Sequence, residues 1–183
     1  MAKHTLVIGG TGMLGGAVKQ LAESGNQVSV IARTQTKYIK MIDSHNIEAS
    51  KVTFYSADYG LLHDFKEQVN QAVMEQGDIT LCITWMRSNA LPSFRWIQAF
   101  LLKQQTTGVL YEIKGSSASK ESFKASKSSY SFRRITLGFE LNQGHSRWLT
   151  NDEISDGVLE AIQLQKTIYT IGQTEPWEKR PSY

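Results

Sequence analysis

The sequence predicts one α/β domain in which about seven strands form a doubly wound parallel sheet with helices on both faces. Three observations carry that expectation. Apolar runs of strand length alternate with helix-period segments from His4 onward. The runs are continuous rather than alternating, as strands covered on both faces require. The first run ends abruptly in Gly9-Gly10, at the point where a strand would turn into a helix. A length of 183 residues suits one domain, read as residues 1–173, with 174–183 as a C-terminal tail. With 40% hydrophobic and 20% charged residues the chain can build a core, which excludes a disordered class.

Element by element, His4 to Ile8 reads as the first strand. Leu14, Ala17, Val18, Leu21 and Ala22 recur at helical spacing, and Gly25-Asn26 supplies the stop. Gln27 to Ala32 is a β-branched second run, followed by a helix carrying Tyr38, Met41, Ile42 and His45. Val52 to Ser56 is the third strand, and Leu62, Phe65, Val69 and Val73 mark the next helix. Ile79 to Thr84 is the fourth strand, which should bury Cys82. A helix from about Ser93 to Gln105 and a fifth strand, Val109 to Ile113, complete the alternation. Right-handed crossovers then make 3-2-1-4-5 the simplest strand order.

From there the rhythm changes. Residues 116–129 hold seven Ser and three Lys, so a flexible loop is expected where another crossover helix would fall. Tyr130 to Leu141 alternates, apart from Arg133, and reads as a half-exposed strand. Thr150 and Glu153 form a capping box opening a helix to about Gln165, and Thr167 to Ile171 is a last strand. Trp148, just before the box, is expected in a staple-like packing role rather than in substrate stacking. The tail, with Trp177, Pro176 and Pro181, would wrap the surface or meet a partner.

The strongest motif is Gly9-Gly10-Thr11-Gly12-Met13-Leu14-Gly15, readable as GxGxxG from Gly10 or GxxGxxG from Gly9. Either way, glycines allow a tight turn and close approach to a pyrophosphate, while the helix N-terminus offers free N–H groups and a positive dipole end. Placement between a strand and a helix is the context that distinguishes this motif from a glycine-rich turn with no ligand. After strand two, where an acid would hold the ribose hydroxyl of NAD, stands Arg33, twenty-one positions beyond Gly12. A guanidinium there can pair with a 2′-phosphate, and Thr34 and Lys37 complete the pocket, so NADP(H) is expected over NAD(H). The plain alternative is a solvated arginine. Asp58, after strand three and beside Tyr59, can accept from an adenine amino group or cap the next helix.

These residues resemble the short-chain dehydrogenase/reductases, in particular the extended and atypical branches of that Rossmann superfamily. The stretch from Val7 to Val18 matches their TGxxGxxG fingerprint, and Asp58 matches their adenine-binding aspartate. The resemblance covers residues 4–115, and Thr150 to Gly172 matches the closing elements more loosely. It implies that the backbone of Gly12, Met13 and Leu14 meets the pyrophosphate and that Ile83-Thr84-Trp85 lies along the ribose, although the usual Asn-Ala-Ala/Gly signature is absent. With Arg33, Thr34 and Lys37 from the reading of strand two, the candidate cofactor set is Gly9, Thr11, Gly12, Met13, Leu14, Arg33, Thr34, Lys37, Asp58, Tyr59 and Thr84.

The family's hydride transfer uses a Tyr with a Lys four residues on, the cation lowering the Tyr pKa. No Tyr of the chain is followed by Lys at that spacing. Tyr130 with Arg134 comes nearest, but on a strand residues four apart are separated by over roughly 12 Å. Ser116 or Ser117 occupies the place of the catalytic serine, or is simply a loop serine. The catalytic residues are therefore left unknown, with Tyr130, Ser116, Ser117 or water as proton donor.

Other classes are disfavoured. Lys114, Lys120, Lys124, Lys127, Arg133 and Arg134 lack a nucleic-acid-binding motif, and a net charge of +3 is small, so nucleic acid is not expected. Four scattered His carry no metal spacing. A single Cys, the absence of an apolar run near 18 residues and a short N-terminal run before the glycines point to a cytoplasmic protein with no membrane partner. The expectation is a Rossmann-type NADP(H)-binding oxidoreductase acting on a small carbonyl or unsaturated substrate. The alternative is a non-catalytic NADP(H) sensor.

Overall fold

The computed structural model describes residues 3–125 and 128–182. Its strands are β1 (His4–Ile8), β2 (Gln27–Ala32), β3 (Val52–Ser56), β4 (Ile79–Thr84), β5 (Gly108–Gly115), β6 (Tyr130–Leu137), β7 (Phe139–Asn142), β8 (His145–Trp148) and β9 (Ile168–Ile171). Its helices are α1 (Gly15–Glu23), α2 (Gln35–His45), α3 (Leu62–Gln76), α4 (Leu91–Lys103) and α5 (Asn151–Gln163). Seven strands form a parallel sheet in the order β3-β2-β1-β4-β5-β6-β9, the expected 3-2-1-4-5 extended by two. The short β7–β8 hairpin is antiparallel and separate.

Strand alternation sends side chains to two cores. Val7, Val30, Ile83, Ile113 and Ile135 pack with Val18 of α1, Met41 of α2 and Val158 of α5. Leu6, Ile8, Ile31, Cys82 and Leu110 pack with Phe65 and Val69 of α3 and Ile97 and Leu101 of α4. Each such side chain contributes roughly 1.5–3 kcal/mol on burial. Close helix packing uses small residues. A Cβ on Gly157 of α5 would lie 2.6 Å from Ile171, and one on Gly16 of α1 would lie 3.0 Å from Ser155 of α5.

Residues 116–129 replace a crossover helix, as expected. A single 3-10 turn, Ser116–Lys120, is the only regular element among the described residues of that connection. Yet β5 and β6 pair in parallel through eight residues, from Gly108 opposite Tyr130 to Gly115 opposite Leu137. Glu121 and Phe123 of the connection contact Arg134, which shares a strand face with Tyr130, so the connection crosses the sheet on the α4 side.

The half-exposed strand expected over Tyr130 to Leu141 is corrected in two ways. Pairing ends at Leu137, and Gly138 turns the chain into β7, where a Cβ would meet the Gln173 carbonyl at 2.2 Å. β6 is also interior to the sheet, with Tyr130, Arg134, Ile135, Thr136 and Leu137 buried. The polar positions that suggested exposure have internal partners. Arg134 donates to Glu112 through Nε and Nη2, and Arg133 Nη1 donates to the Tyr111 hydroxyl at 2.9 Å. Trp148 ends β8, so the staple position belongs to Leu149, which packs in the same core as Ile154. The tail folds back: Lys120 lies over the Trp177 ring at 4.2 Å. No helix among the described residues is long and apolar enough to cross a membrane.

Candidate functional site

The glycines of the β1–α1 loop meet different demands. Gly9 has φ +79°, and a Cβ there would lie 2.3 Å from the Trp85 carbonyl oxygen, because Trp85 N–H donates to Ile8 O across β1 and β4. Gly10 lies against Val7, and Gly15 against the His45 ring of α2. Gly12 differs: its φ is not left-handed and a Cβ would meet nothing within 4 Å. The fold does not require a glycine there, so the open space in front of it is the feature a ligand would use. Behind it α1 begins at Gly15 with Leu14 as N-cap, offering no side-chain acceptor and no acid in the first turn. That positive helix end is left to an anion. The Leu14 side chain itself is core, and Met13 O accepts from Ser155 Oγ at 3.0 Å, which anchors the loop to α5.

A cleft of about 230 Å³ opens in front of the loop. It brings together Gly9, Thr11, Gly12 and Met13 with Arg33, Thr34, Lys37 and Tyr59, and adds Trp85 and Arg87. Its lining carries three cations and no carboxylate. Asp58 stands just outside, with Oδ2 3.6 Å from Arg33 Nη1 and Oδ1 accepting from Gly60 N–H at 2.8 Å. It does not cap α3, whose N-cap is Leu61, so the capping alternative is corrected: the turn places the carboxylate three residues too early. Thr84 does not reach the cleft. It is buried, with its hydroxyl directed to Tyr111 O, and it lines a second chamber on the α4 side.

That second chamber holds about 290 Å³ between Thr84, Phe94, Glu112 and Arg134. A third, of about 440 Å³, is lined by Trp85, Lys114 and Ser117. Arg87 lines all three, so they meet at one residue beyond the carboxyl ends of β1, β4 and β5. Nothing in the sequence pattern singled out Arg87. The rule that open α/β sheets bind ligands beyond the strand carboxyl ends would have found it, three residues after β4.

Of the candidate proton donors, Tyr130 is excluded by position. It is fully buried at the opposite end of the sheet, against Gly108. Burial, with a lesser effect from nearby Cys82, pushes its phenol far above the ordinary range. Ser116 is buried, whereas Ser117 is exposed and lines the third chamber. The basic set divides. Lys114, Lys124 and Arg134 line the chamber on the α4 side, Arg133 points to the opposite sheet face, and Lys120 covers Trp177; Lys127 lies outside the described residues.

No protein-family model and no curated protein matches the chain. Solved structures do. An actinorhodin polyketide ketoreductase variant with NADPH superposes with a TM-score of 0.72 at 11% identity, covering 93% of this chain and 96% of that one. A short-chain dehydrogenase from Bacillus anthracis gives 0.69 at 13%, covering 93% and 95%. A Sinorhizobium meliloti protein described as a short-chain dehydrogenase/reductase gives 0.67 at 12%, covering 94% and 96%. At these identities the likeness is one of architecture, and the chain has the Rossmann fold of the short-chain dehydrogenase/reductases.

Proposed function

We propose that this protein is an NADP(H)-dependent oxidoreductase of the short-chain dehydrogenase/reductase type, acting on a small carbonyl or unsaturated substrate. The observation that carries the reading is the meeting of a free helix end, an unneeded glycine at position 12 and three cations in one cleft. The backbone of Gly12, Met13 and Leu14 takes the pyrophosphate. Arg33 leaves Asp58 for the 2′-phosphate, with Thr34 and Lys37 beside it, and Asp58 is then free for the adenine amino group. Bound NADPH supplies a hydride at nicotinamide C4. The proton for the substrate oxygen comes from Ser117 or water, and Lys114 beside it stabilises the developing negative charge.

Calorimetric titration with NADPH and with NADH tests this, alongside NADPH consumption with a carbonyl panel. Micromolar NADPH binding, much weaker NADH binding and turnover are expected. Arg33→Asp should lose about 10- to 100-fold in NADPH affinity, the equivalent of one charge-assisted contact, with NADH little affected. An unchanged preference would sink the assignment, and binding without turnover of any carbonyl would favour a sensor.

A further inference from the structure

The chamber on the α4 side contains a buried cation whose place the fold does not explain. Arg134 lies on an interior strand, on the same face as Tyr130 and Phe132, and only 10% of its side chain is exposed. Burying a guanidinium costs several kcal/mol after relaxation, and apolar residues serve such positions at least as well. Its Nε and Nη2 both donate to one oxygen of Glu112, at 3.0 and 2.7 Å. Its Nη1 is buried, has no hydrogen-bond partner among the described residues and has the Phe123 ring 4.8 Å from the guanidinium carbon. A second carboxylate, Glu121 Oε2, stands 3.6 Å from Nη1 on the connection that replaces the crossover helix. Two N–H groups of a charged donor are thus buried at the edge of the chamber without an acceptor, and a partly solvated acid stops just short of them.

The surroundings select the ligand. Arg87, Lys114, Lys124 and Arg134 outnumber Glu112 and Glu121, and Glu112 is already committed to Arg134. Leu91, Phe94 and Ile113 supply an apolar section of the wall, beside the polar Thr84, Ser88, Gln98 and Ser122. We infer that this chamber binds a small carboxylic acid with an apolar body: Arg134 Nη1 and Lys114 take its carboxylate in place of Glu121, and Phe94 packs against its body. Arg87 links the chamber to the dinucleotide cleft. The substrate class is then an oxo acid reduced to a hydroxy acid. NADPH gives the hydride that forms the new C–H bond, and the carbonyl oxygen takes a proton from Ser117 or water. The oxo-acid assignment rests on the oxidoreductase reading; the carboxylate site does not.

The test uses a matched pair of probes, phenylpyruvate and phenylacetone, which differ in the carboxylate. Calorimetric titration of the full chain, with and without NADPH, should give at least roughly tenfold tighter binding of phenylpyruvate. Arg134→Gln should abolish that preference. Because this change leaves Glu112 buried without its partner and could cost the fold, Glu121→Gln is the second variant, at a half-exposed position. It should tighten phenylpyruvate several-fold and leave phenylacetone unchanged. Equal affinity for the two probes, no binding of phenylpyruvate at millimolar concentration, or no response to Glu121→Gln overturns the site. A carboxylate preference without NADPH binding keeps the site and removes the oxidoreductase reading. NADPH binding without the preference does the reverse.

Discussion

Two glycines three positions apart in the same loop carry opposite expectations. Gly9 combines a left-handed φ with a carbonyl oxygen where its Cβ would go, so Gly9→Ala strains the backbone and displaces Trp85. A loss of at least about 1–3 kcal/mol is expected from the backbone alone. Gly12 has neither constraint. Gly12→Val should therefore melt close to wild type while losing dinucleotide binding, read by thermal unfolding and by titration with NADPH. Tight NADPH binding by that variant would remove the loop from the site. The sequence showed the motif but not this division of labour, since both positions are simply Gly. Arg87 was illegible for a related reason. A lone cation after a strand has no periodicity, and only the meeting of three strand ends gives it a cleft to line.

Among the elements, α5 shows what local chemistry fixes in advance. Thr150 Oγ1 accepts from Glu153 N–H at 3.2 Å, and Glu153 Oε2 accepts from Thr150 N–H at 2.8 Å, the reciprocal pair that the Thr-x-x-Glu spacing predicts. Arg147 of β8 adds a bidentate contact to the same carboxylate, at 2.7 and 2.8 Å. That guanidinium first, then the Thr150 N–H, lowers the Glu153 pKa to about 2. Thr150→Ala should cost about 1 kcal/mol, measured by denaturant unfolding, and a change within error would mean Arg147 holds the helix start alone. β6 is the counterexample. Its alternation was legible, but its depth in the sheet was not, because paired arginines look like surface residues until Glu112 and Tyr111 on β5 are seen opposite them. The missing crossover helix could be read from composition. What fills its place, Glu121 and Phe123 against Arg134, depends on contacts that no local pattern encodes.

At the scale of the molecule, one buried histidine couples the sheet to pH. His4 Nδ1–H donates to Gly77 O at 2.7 Å and Nε2 accepts from Ser29 Oγ at 2.8 Å, so the neutral ring joins β1 to β2 and to the turn before β4. Burial lowers its pKa below the ordinary 6.5, outweighing the Gly77 bond and the Asp78 charge that raise it. The unfolded chain therefore binds this proton more readily. The stability it contributes is complete above about pH 6.5 and is lost as pH falls below that value, at up to about 1.4 kcal/mol per pH unit for one proton. His4→Gln should flatten the fall in Tm between pH 7.5 and 5.5, and an equally steep fall in the variant would assign the proton elsewhere. The same sheet has a free edge at β9, only four residues long. Gly172, at φ +70°, turns the chain away, and Gln173 bonds back to Phe139 in both directions. A strand so short and so abruptly closed gives a second molecule little backbone to pair with, so this border resists growth by strand addition.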